Sequence, residues 1–530
     1  MQTLKGMPVG IQSFSSIIEG NYVYVDKTHF IPKLEQLGIA YFLSRPRRFG
    51  KSLFISMLQA YFEGRSELFK GLFIEKFKAE NGLDWKKYPV LKLDLNAKEY
   101  TEKEQLITIL NDHINKWKHT YGIECDCKDP DSAFAYLIEA ICKKYEKKVV
   151  ILVDEYDKPL ISTLENSKLN DQYRSILKAF YAVIKSSNDF IHISFLTGVT
   201  KFSKVSIFSD LNNLFDITSD SEYSSICGIT EEELEAVFSP HIKLLSDENN
   251  KTYKEMMDIL RCKYDGYRFS EKKQRIYNPF SLLHVFKRKR LGEYWFSSAT
   301  PTFMVNMFEQ RAFNIPDLEA NVEVSFKEME NYRINYKNIA PLLFQTGYLT
   351  IKDYNLEEKV YLLGFPNDEV RYAFIYYLLD EYNNFLPSSQ QECNIREFTN
   401  AMKEGDIERV LTLIKSLMAS IPYDSLPQDK IALREQNYQT IVYLIFRLMG
   451  ERVRSEVHSA KGRSDVEVET ADGIYIFEFK VGGTPQDAIE QIKMQGYADK
   501  YTCSTKALFL IGVSISEDKR TLERWQIEKM

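Results

Sequence analysis

Residues Arg45 to Leu53 read RPRRFGKSL, and the fold of the first half of the chain turns on them. The preceding run IAYFLS (39–44) is apolar and of strand length, while SLFISMLQAYF (52–62) spaces its large apolar residues as a helix does. A strand, a tight turn and a helix gather backbone N–H groups and the positive end of a helix dipole around one point, which suits a phosphate. On this reading Gly50 frees the turn, Lys51 reaches the β- and γ-phosphates, and Ser52 offers its hydroxyl to Mg²⁺, as the GxxxxGK[ST] pattern requires. Arg47 and Arg48 add positive charge. Position 45 departs from that pattern, because arginine stands where glycine normally lets the loop turn without a Cβ in the way. Read alone, the fragment also fits a basic surface loop.

Working outward, PVLKLDL (89–95), VVILV (149–153) and FIHISFLTG (190–198) are further strand-like runs separated by helical stretches, the alternation of a parallel three-layer α/β sheet. The run at 149–153 ends in Asp154 and Glu155, at the carboxyl edge where such sheets bind ligands. Asp154 is then expected to hold Mg²⁺, and Glu155 to orient or deprotonate the attacking water. Two acids at a strand end also serve simply to open a solvated loop or cap a helix. Thr197, ending the next strand, is a candidate γ-phosphate sensor, with a hydroxyl satisfied by nearby backbone as the other reading. An arginine finger is not located: Arg47, Arg48 and a residue from a neighbouring subunit all qualify.

From about 230 to 380 the pattern is helical, and GYLTIKDYNLEEKVYLLGF (347–365) reads as a hairpin, which together suggest a helical or winged-helix-like lid. The polar NNFLPSSQQE (383–392) reads as a linker. Helices are expected at 396–418, 430–449 and 485–500, a strand pair over 464–481, and a last strand in KALFLIGVS (506–514).

Within GRSDVEVETADGIYIFEFKVGG (462–483) the Asp472-Gly473 pair is a favoured two-residue turn. Counting outward from it sets Glu467 opposite Glu478 and Asp465 opposite Lys480, so that Asp465, Glu478 and Lys480 share one face of the sheet. A buried Glu478 is costly unless a cation shared with Asp465, or an ion pair with Lys480, offsets the charge. With the backbone carbonyl of Phe479, the two carboxylates suit Mg²⁺ or Mn²⁺, and Lys480 is placed to position and activate a water for attack on a phosphodiester. Glu435, on an upstream helix, is a further candidate ligand, and Gln491 and Tyr497 lie on the downstream helix. For Glu435 and Gln491 a plain solvated helix face fits equally.

The chain of 530 residues, 44% apolar and 27% charged, is long enough for several cores, and its net charge of −6 excludes a uniformly basic nucleic-acid coat. Any nucleic acid must meet a local patch. Seven scattered cysteines form neither a disulfide framework nor a CxxC zinc site. Neither a run of the ~20 apolar residues that spans a bilayer nor a basic, then apolar leader is found, so a cytoplasmic protein without membrane contact is expected.

RPRRFGKSL, LVDEYD, LTGVTKFS, YDGYRF with YNPFS, GFPNDEV, and GRSDVEV with FEFK together resemble a family of bacterial proteins that join an AAA-ATPase-like domain to a C-terminal nuclease-like domain of the PD-(D/E)XK superfamily. The resemblance extends from about Val25 to Ile511, and that family shares the RRFGKS form. It implies a P-loop NTPase fold for the first half and a restriction-endonuclease-like α/β core for the end, with Asp465, Glu478 and Lys480 as the D…ExK set. With the patterning above, the expected domains are the P-loop domain at 1–230, the lid at 231–382, the linker at 383–395 and the nuclease-like domain at 396–530. The resemblance further implies a role in genome defence or mobile-element biology but carries over no substrate. ATP and Mg²⁺ or Mn²⁺ as cofactors, and nucleic acid, DNA foremost, as partner, are expected from the chain's own residues. Homo-oligomerisation stays open. A rival reading is an ATP-operated switch whose nuclease fold has lost activity.

Overall fold

The structure, a computed structural model, describes the chain apart from residues 1–3, 38–39, 97–98, 165, 202–212, 296–321, 331–338, 384–396, 399, 403, 420–445, 447–451, 459–462, 471–472, 503 and 517–521. It divides into two compact units, Met1–Phe313 with Leu318–Val370, and Asn314–Asp317 with Arg371–Met530.

In the first unit, strands β1 (Ala40–Ser44), β2 (Val90–Asp94), β3 (Val149–Asp154), β4 (Ile191–Gly198) and β5 (Leu214–Asp216) form a parallel sheet in the order β2-β3-β4-β1-β5. Every residue of β1 and β3 is buried, as expected of parallel strands covered on both faces. Helices α1 (Lys51–Phe62), α2 (Lys103–Tyr121), α3 (Pro130–Tyr145) and α4 (Ser167–Ser186) supply the covering layers. Their starts are written locally: Glu102 and Gln105 close a capping box on α2, and Pro130 opens α3 where a missing N–H does no harm. Because β4 lies between β1 and β3, Leu43 neighbours Thr197 and Leu196 neighbours Val153. The three carboxyl ends that bear the phosphate turn, Thr197 and Asp154 are therefore side by side.

Beyond the sheet come α5 (Glu231–Glu248) and α6 (Tyr253–Tyr264), each opened by a capping box, then α7 (Pro279–Arg288). Leu234, Phe238, Ile242, Met256, Leu260, Leu282 and Val285 join these helices in one apolar cluster. Strands β6 (Val322–Ser325), β7 (Thr350–Asn355) and β8 (Val360–Gly364) form an antiparallel sheet ordered β6-β8-β7, in which β7 and β8 are the expected hairpin. Apart from Asn314–Asp317, the chain to Val370 gathers in the first unit, which takes in most of the segment expected to be a lid. Helix α8 (Asp368–Asn383) begins there; the expected linker beyond Asn383, and the 430–449 helix except Phe446, lie outside the described residues.

The second unit holds α9 (Ile407–Ala419), β9 (Arg452–His458), β10 (Arg463–Glu469), β11 (Gly473–Val481), α10 (Pro485–Met494), β12 (Ala507–Ile515) and β13 (Leu522–Lys529). The sheet order is β13-β12-β11-β10-β9, antiparallel except for the β11–β12 pair that α10 connects. Sequence patterning found neither β9 nor β13, so KALFLIGVS is not the last strand. Gly512 lets α10 close on the sheet: a Cβ there would meet Pro485 O at 2.1 Å.

The hairpin register corrects the sequence count. Glu467 pairs with Ile476, not Glu478, and Val466 pairs with Phe477. The connection closes one residue earlier than expected, with Thr470 N–H donating to Gly473 O at 2.9 Å and Gly473 N–H donating to Thr470 Oγ1 at 3.0 Å. Gly473 thus belongs to the strand, where its N–H finds a side-chain acceptor. Moving a turn by one residue moves the pairing by two, and an even shift preserves the face of every side chain.

Candidate functional site

Gly50 caps α1 with φ 94°, a left-handed conformation free for glycine, and the N–H groups of the first turn of α1 point into the loop as unfilled donors. Lys51 is 3% exposed; its Nζ donates to Arg45 O (3.1 Å) and Pro46 O (3.2 Å) and lies 3.5 Å from Glu155 Oε1. The loop's departure from glycine has a structural answer. Arg45 turns its side chain away from the loop into the protein, where Nη1 donates to Ser44 O (2.9 Å) and Thr218 O (2.7 Å) and Nη2 to Tyr223 O (3.2 Å). The guanidinium lies 4.4 Å from the centre of the Phe269 ring, and burial pulls its pKa down to about 10. Arg45 therefore braces the loop from behind and leaves its mouth clear.

Two clefts meet at Ser52. One, of about 310 Å³, is lined by Arg47, Arg48, Gly50, Lys51, Ser52, Glu155 and Lys158, with Pro8, Ile11, Phe280 and Leu283 as its apolar side. Arg48, at φ 70°, stacks on Phe280 at 4.8 Å, and Arg47 O accepts from Trp295 Nε1 at 3.2 Å. The other cleft holds Ser52, Asp94 and Asp154. Asp94 and Asp154 are register partners on adjacent strands, and Thr197 Oγ1 donates to Asp154 Oδ1 at 2.8 Å. Buried Thr197 thus faces Asp154 and fixes its carboxylate. Ser52, Asp94 and Asp154 offer only hard oxygen donors, a set that fits Mg²⁺.

In the second unit, Glu478 is 1% exposed. Its Oε1 lies 3.4 Å from Lys480 Nζ and accepts from Gln491 Nε2, which α10 carries over the strand. Its Oε2 is buried with no hydrogen-bond partner among the described residues. Burial, reinforced by Asp465 and opposed by Lys480, pushes the Glu478 carboxyl up to about 8. Asp465 Oδ2 accepts from Phe479 N–H at 2.8 Å, which ties β10 to β11 at the site. Glu467, on the same face of β10, is instead held by Lys500 (2.7 Å) and Tyr501 (2.6 Å). The described residues hold no cluster of three or more His, Cys, Asp or Glu suited to a metal, and Glu435 lies outside them. The orphaned Glu478 oxygen beside a second carboxylate nevertheless fits a hard divalent cation, which would supply the missing partner.

Comparison with known proteins agrees with this two-part layout. The family model described as Predicted AAA-ATPase matches residues 8–208, and the PD-(D/E)XK nuclease superfamily model matches 433–525. An "Uncharacterized protein in vnfD 5'region" of Azotobacter chroococcum mcd 1 is 35% identical over 99% of this chain and 99% of its own length. The chain belongs to the AAA-ATPase-like family and carries a PD-(D/E)XK nuclease superfamily domain. A solved structure, of the Aeropyrum pernix ORC2 protein in ADPNP-ADP complexes, is 11% identical over 64% of this chain and 86% of that one, at a TM-score of 0.24 too slight to carry an argument.

In this AAA-ATPase-like protein Gly50, Lys51, Ser52, Asp154 and Glu155 lie at the ends of β1 and β3, as expected, and the clefts and the turn beside them also hold Asp94, Asp157 and Lys158, which the sequence reading did not single out. Asp157 is fully buried and accepts from Thr200 N (2.7 Å), Thr200 Oγ1 (2.6 Å) and Val199 N (3.1 Å), with burial and Glu155 raising its pKa to about 6. It locks the DEYD turn to the loop after β4. A third acid, three residues past the strand end, was the available signal. No helix among the described residues is long and apolar enough to cross a membrane.

Proposed function

We propose that the protein is an ATP-regulated, metal-dependent nuclease: the first unit binds and hydrolyses ATP, and the second cleaves phosphodiester bonds, with DNA as the leading substrate. The nuclease reading is carried by one observation, the buried Glu478 whose Oε2 has no hydrogen-bond partner among the described residues while Lys480 stands 3.4 Å from Oε1. An inert fold has no need of an expensive unpaired carboxylate oxygen.

Asp465, Glu478 and the carbonyl of Phe479 would hold Mg²⁺ or Mn²⁺, with Glu435 as a further candidate. When bound, the ion supplies charge neutralisation at the scissile phosphate. Lys480 positions the attacking water, and Gln491 orients Glu478 through its hydrogen bond. In the ATP site, the α1 N-terminus and Lys51 bind the phosphates, Arg47 and Arg48 flank them, Ser52 and Asp154 would hold Mg²⁺, Thr197 fixes Asp154, and Glu155 takes the proton of water. Cytoplasmic location and a role in defence or mobile-element biology belong to the same proposal.

Purified protein with Mg²⁺ or Mn²⁺ is expected to nick plasmid or single-stranded DNA, and Lys480→Ala to abolish it. Equal cleavage by the variant would assign the activity elsewhere. Lys51→Ala is expected to weaken ATP binding sharply, and absence of ATP affinity in the unaltered protein would remove the nucleotide reading.

A further inference from the structure

Resting on that ATP-site reading, we propose that Lys158 grips the γ-phosphate from within the same chain, doing the work that an arginine finger from a neighbouring subunit does in other nucleotide hydrolases.

The cleft of about 310 Å³ is lined by four cationic side chains, Arg47, Arg48, Lys51 and Lys158, against one carboxylate, Glu155. Three of the four are already accounted for. Lys51 is held by two loop carbonyls and Glu155, Arg48 lies over Phe280, and Arg47 belongs to the loop that cradles the phosphates. Lys158 is half-buried, and its ammonium has no hydrogen bond or ion pair within 4.0 Å among the described residues. Partial burial and the like charge of Arg47 both disfavour the ammonium where it stands. An anion in the cleft would offset both.

The residue is also held in place. Glu155, at φ 54°, turns the chain at the end of β3, and Lys158 N–H donates to Glu155 O at 3.0 Å. One residue earlier, Asp157 is anchored to Val199 N and to Thr200 N and Oγ1 beyond β4. Lys158 therefore projects from a turn pinned to two central strands. A cation fixed before the reaction stabilises developing charge without reorganising. In the step itself, the water oxygen bonds to the γ-phosphorus as the bridging bond to the β-phosphate oxygen breaks and the diphosphate leaves with that electron pair. The water proton passes to Glu155 and then to solvent; Lys158 only neutralises charge and exchanges no proton.

The test measures ATP and ADP affinities, by displacement of a fluorescent nucleotide, and ATP turnover for the full chain and for Lys158→Ala, Lys158→Met and Lys158→Arg. Expected for the Ala and Met variants are ADP affinity within about twofold of the unaltered protein, preference for ATP over ADP reduced about tenfold, and turnover reduced about 10³-fold. Lys158→Arg should restore most of both. Retained ADP affinity also reports that a variant is folded, and the Met variant keeps the buried stem if the Ala variant is unstable. Unchanged ATP preference, or equal loss of ATP and ADP affinity, would overturn the assignment. Failure of the unaltered protein to bind either nucleotide would defeat the ATP-site reading first, a result visible before any variant is made.

Discussion

Restoring glycine at position 45 should harm this protein. In Arg45→Gly, the carbonyls of Ser44 and Thr218 lose their Arg45 donor, Tyr223 O keeps its bond from Ile226 N–H (3.1 Å), and Phe269 loses the cation stacked at 4.4 Å. A buried acceptor stripped of its donor costs about 1 kcal/mol or more, which gives roughly 2 kcal/mol for Ser44 and Thr218. Loss of the stacked cation and the emptied volume of a side chain that is 1% exposed add about 2 kcal/mol. Against this stands relief from burying a charge that no carboxylate within salt-bridge distance among the described residues neutralises, a relief of about 3 kcal/mol on the evidence of the depressed pKa of about 10. The net is a loss of about 1 kcal/mol. At roughly 2 °C per kcal/mol for a large unit, Tm should fall by about 2 °C. Differential scanning calorimetry with and without ATP measures it directly. A variant as stable as the unaltered protein, and binding ATP equally well, would falsify the view that Arg45 braces the loop.

Two further outcomes are expected. In Gly512→Ala the new methyl would stand 2.1 Å from Pro485 O, so α10 must lift from β12, unit stability should drop by about 1–3 kcal/mol, and metal-dependent cleavage should fall as Gln491 leaves Glu478; wild-type cleavage by a stable variant would show that the helix is not needed there. Glu369 is 1% exposed, accepts from Ser281 Oγ (2.6 Å), Tyr294 N (2.6 Å) and Trp295 N (3.0 Å), and is pushed by burial to about 7. Because its folded pKa lies above the ordinary glutamate value, the stabilisation is complete below that value and is lost as pH climbs through about 7, by roughly 3 kcal/mol. Denaturant midpoints of Glu369→Gln should lack that decline, and parallel pH curves for the two proteins would contradict the sign.

The central strands were legible because parallel strands buried on both faces must be nearly all apolar, as VVILV is. The strands that escaped, β5, β6, β9 and β13, are short or rich in charge, as RVRSEVH and LERWQIEK are, since they lie at sheet edges. Lys51, Ser52 and Asp154 could be read because local chain geometry puts them at strand ends. The roles of Arg45 and Asp157 could not, since each depends on carbonyls or amides brought by distant segments, Thr218 and Tyr223 for one and Thr200 for the other. Insertion of β4 between β1 and β3 was likewise invisible to any window of sequence. The hairpin shows how a local error can be harmless: its turn was misplaced by one residue, yet Asp465 and Glu478 kept a common face because the pairing moved by two.

The sheet order also has a consequence for synthesis. Both neighbours of β1, β4 and β5, end at Gly198 and Asp216, far beyond Ser44. At roughly 5–20 residues per second, the strand leading into the phosphate loop emerges from the ribosome about 8–35 s before its flanks exist. During that interval the apolar run AYFLS has open edges on both sides, making it a natural client for a holding chaperone and a place where slowed translation would favour aggregation over assembly.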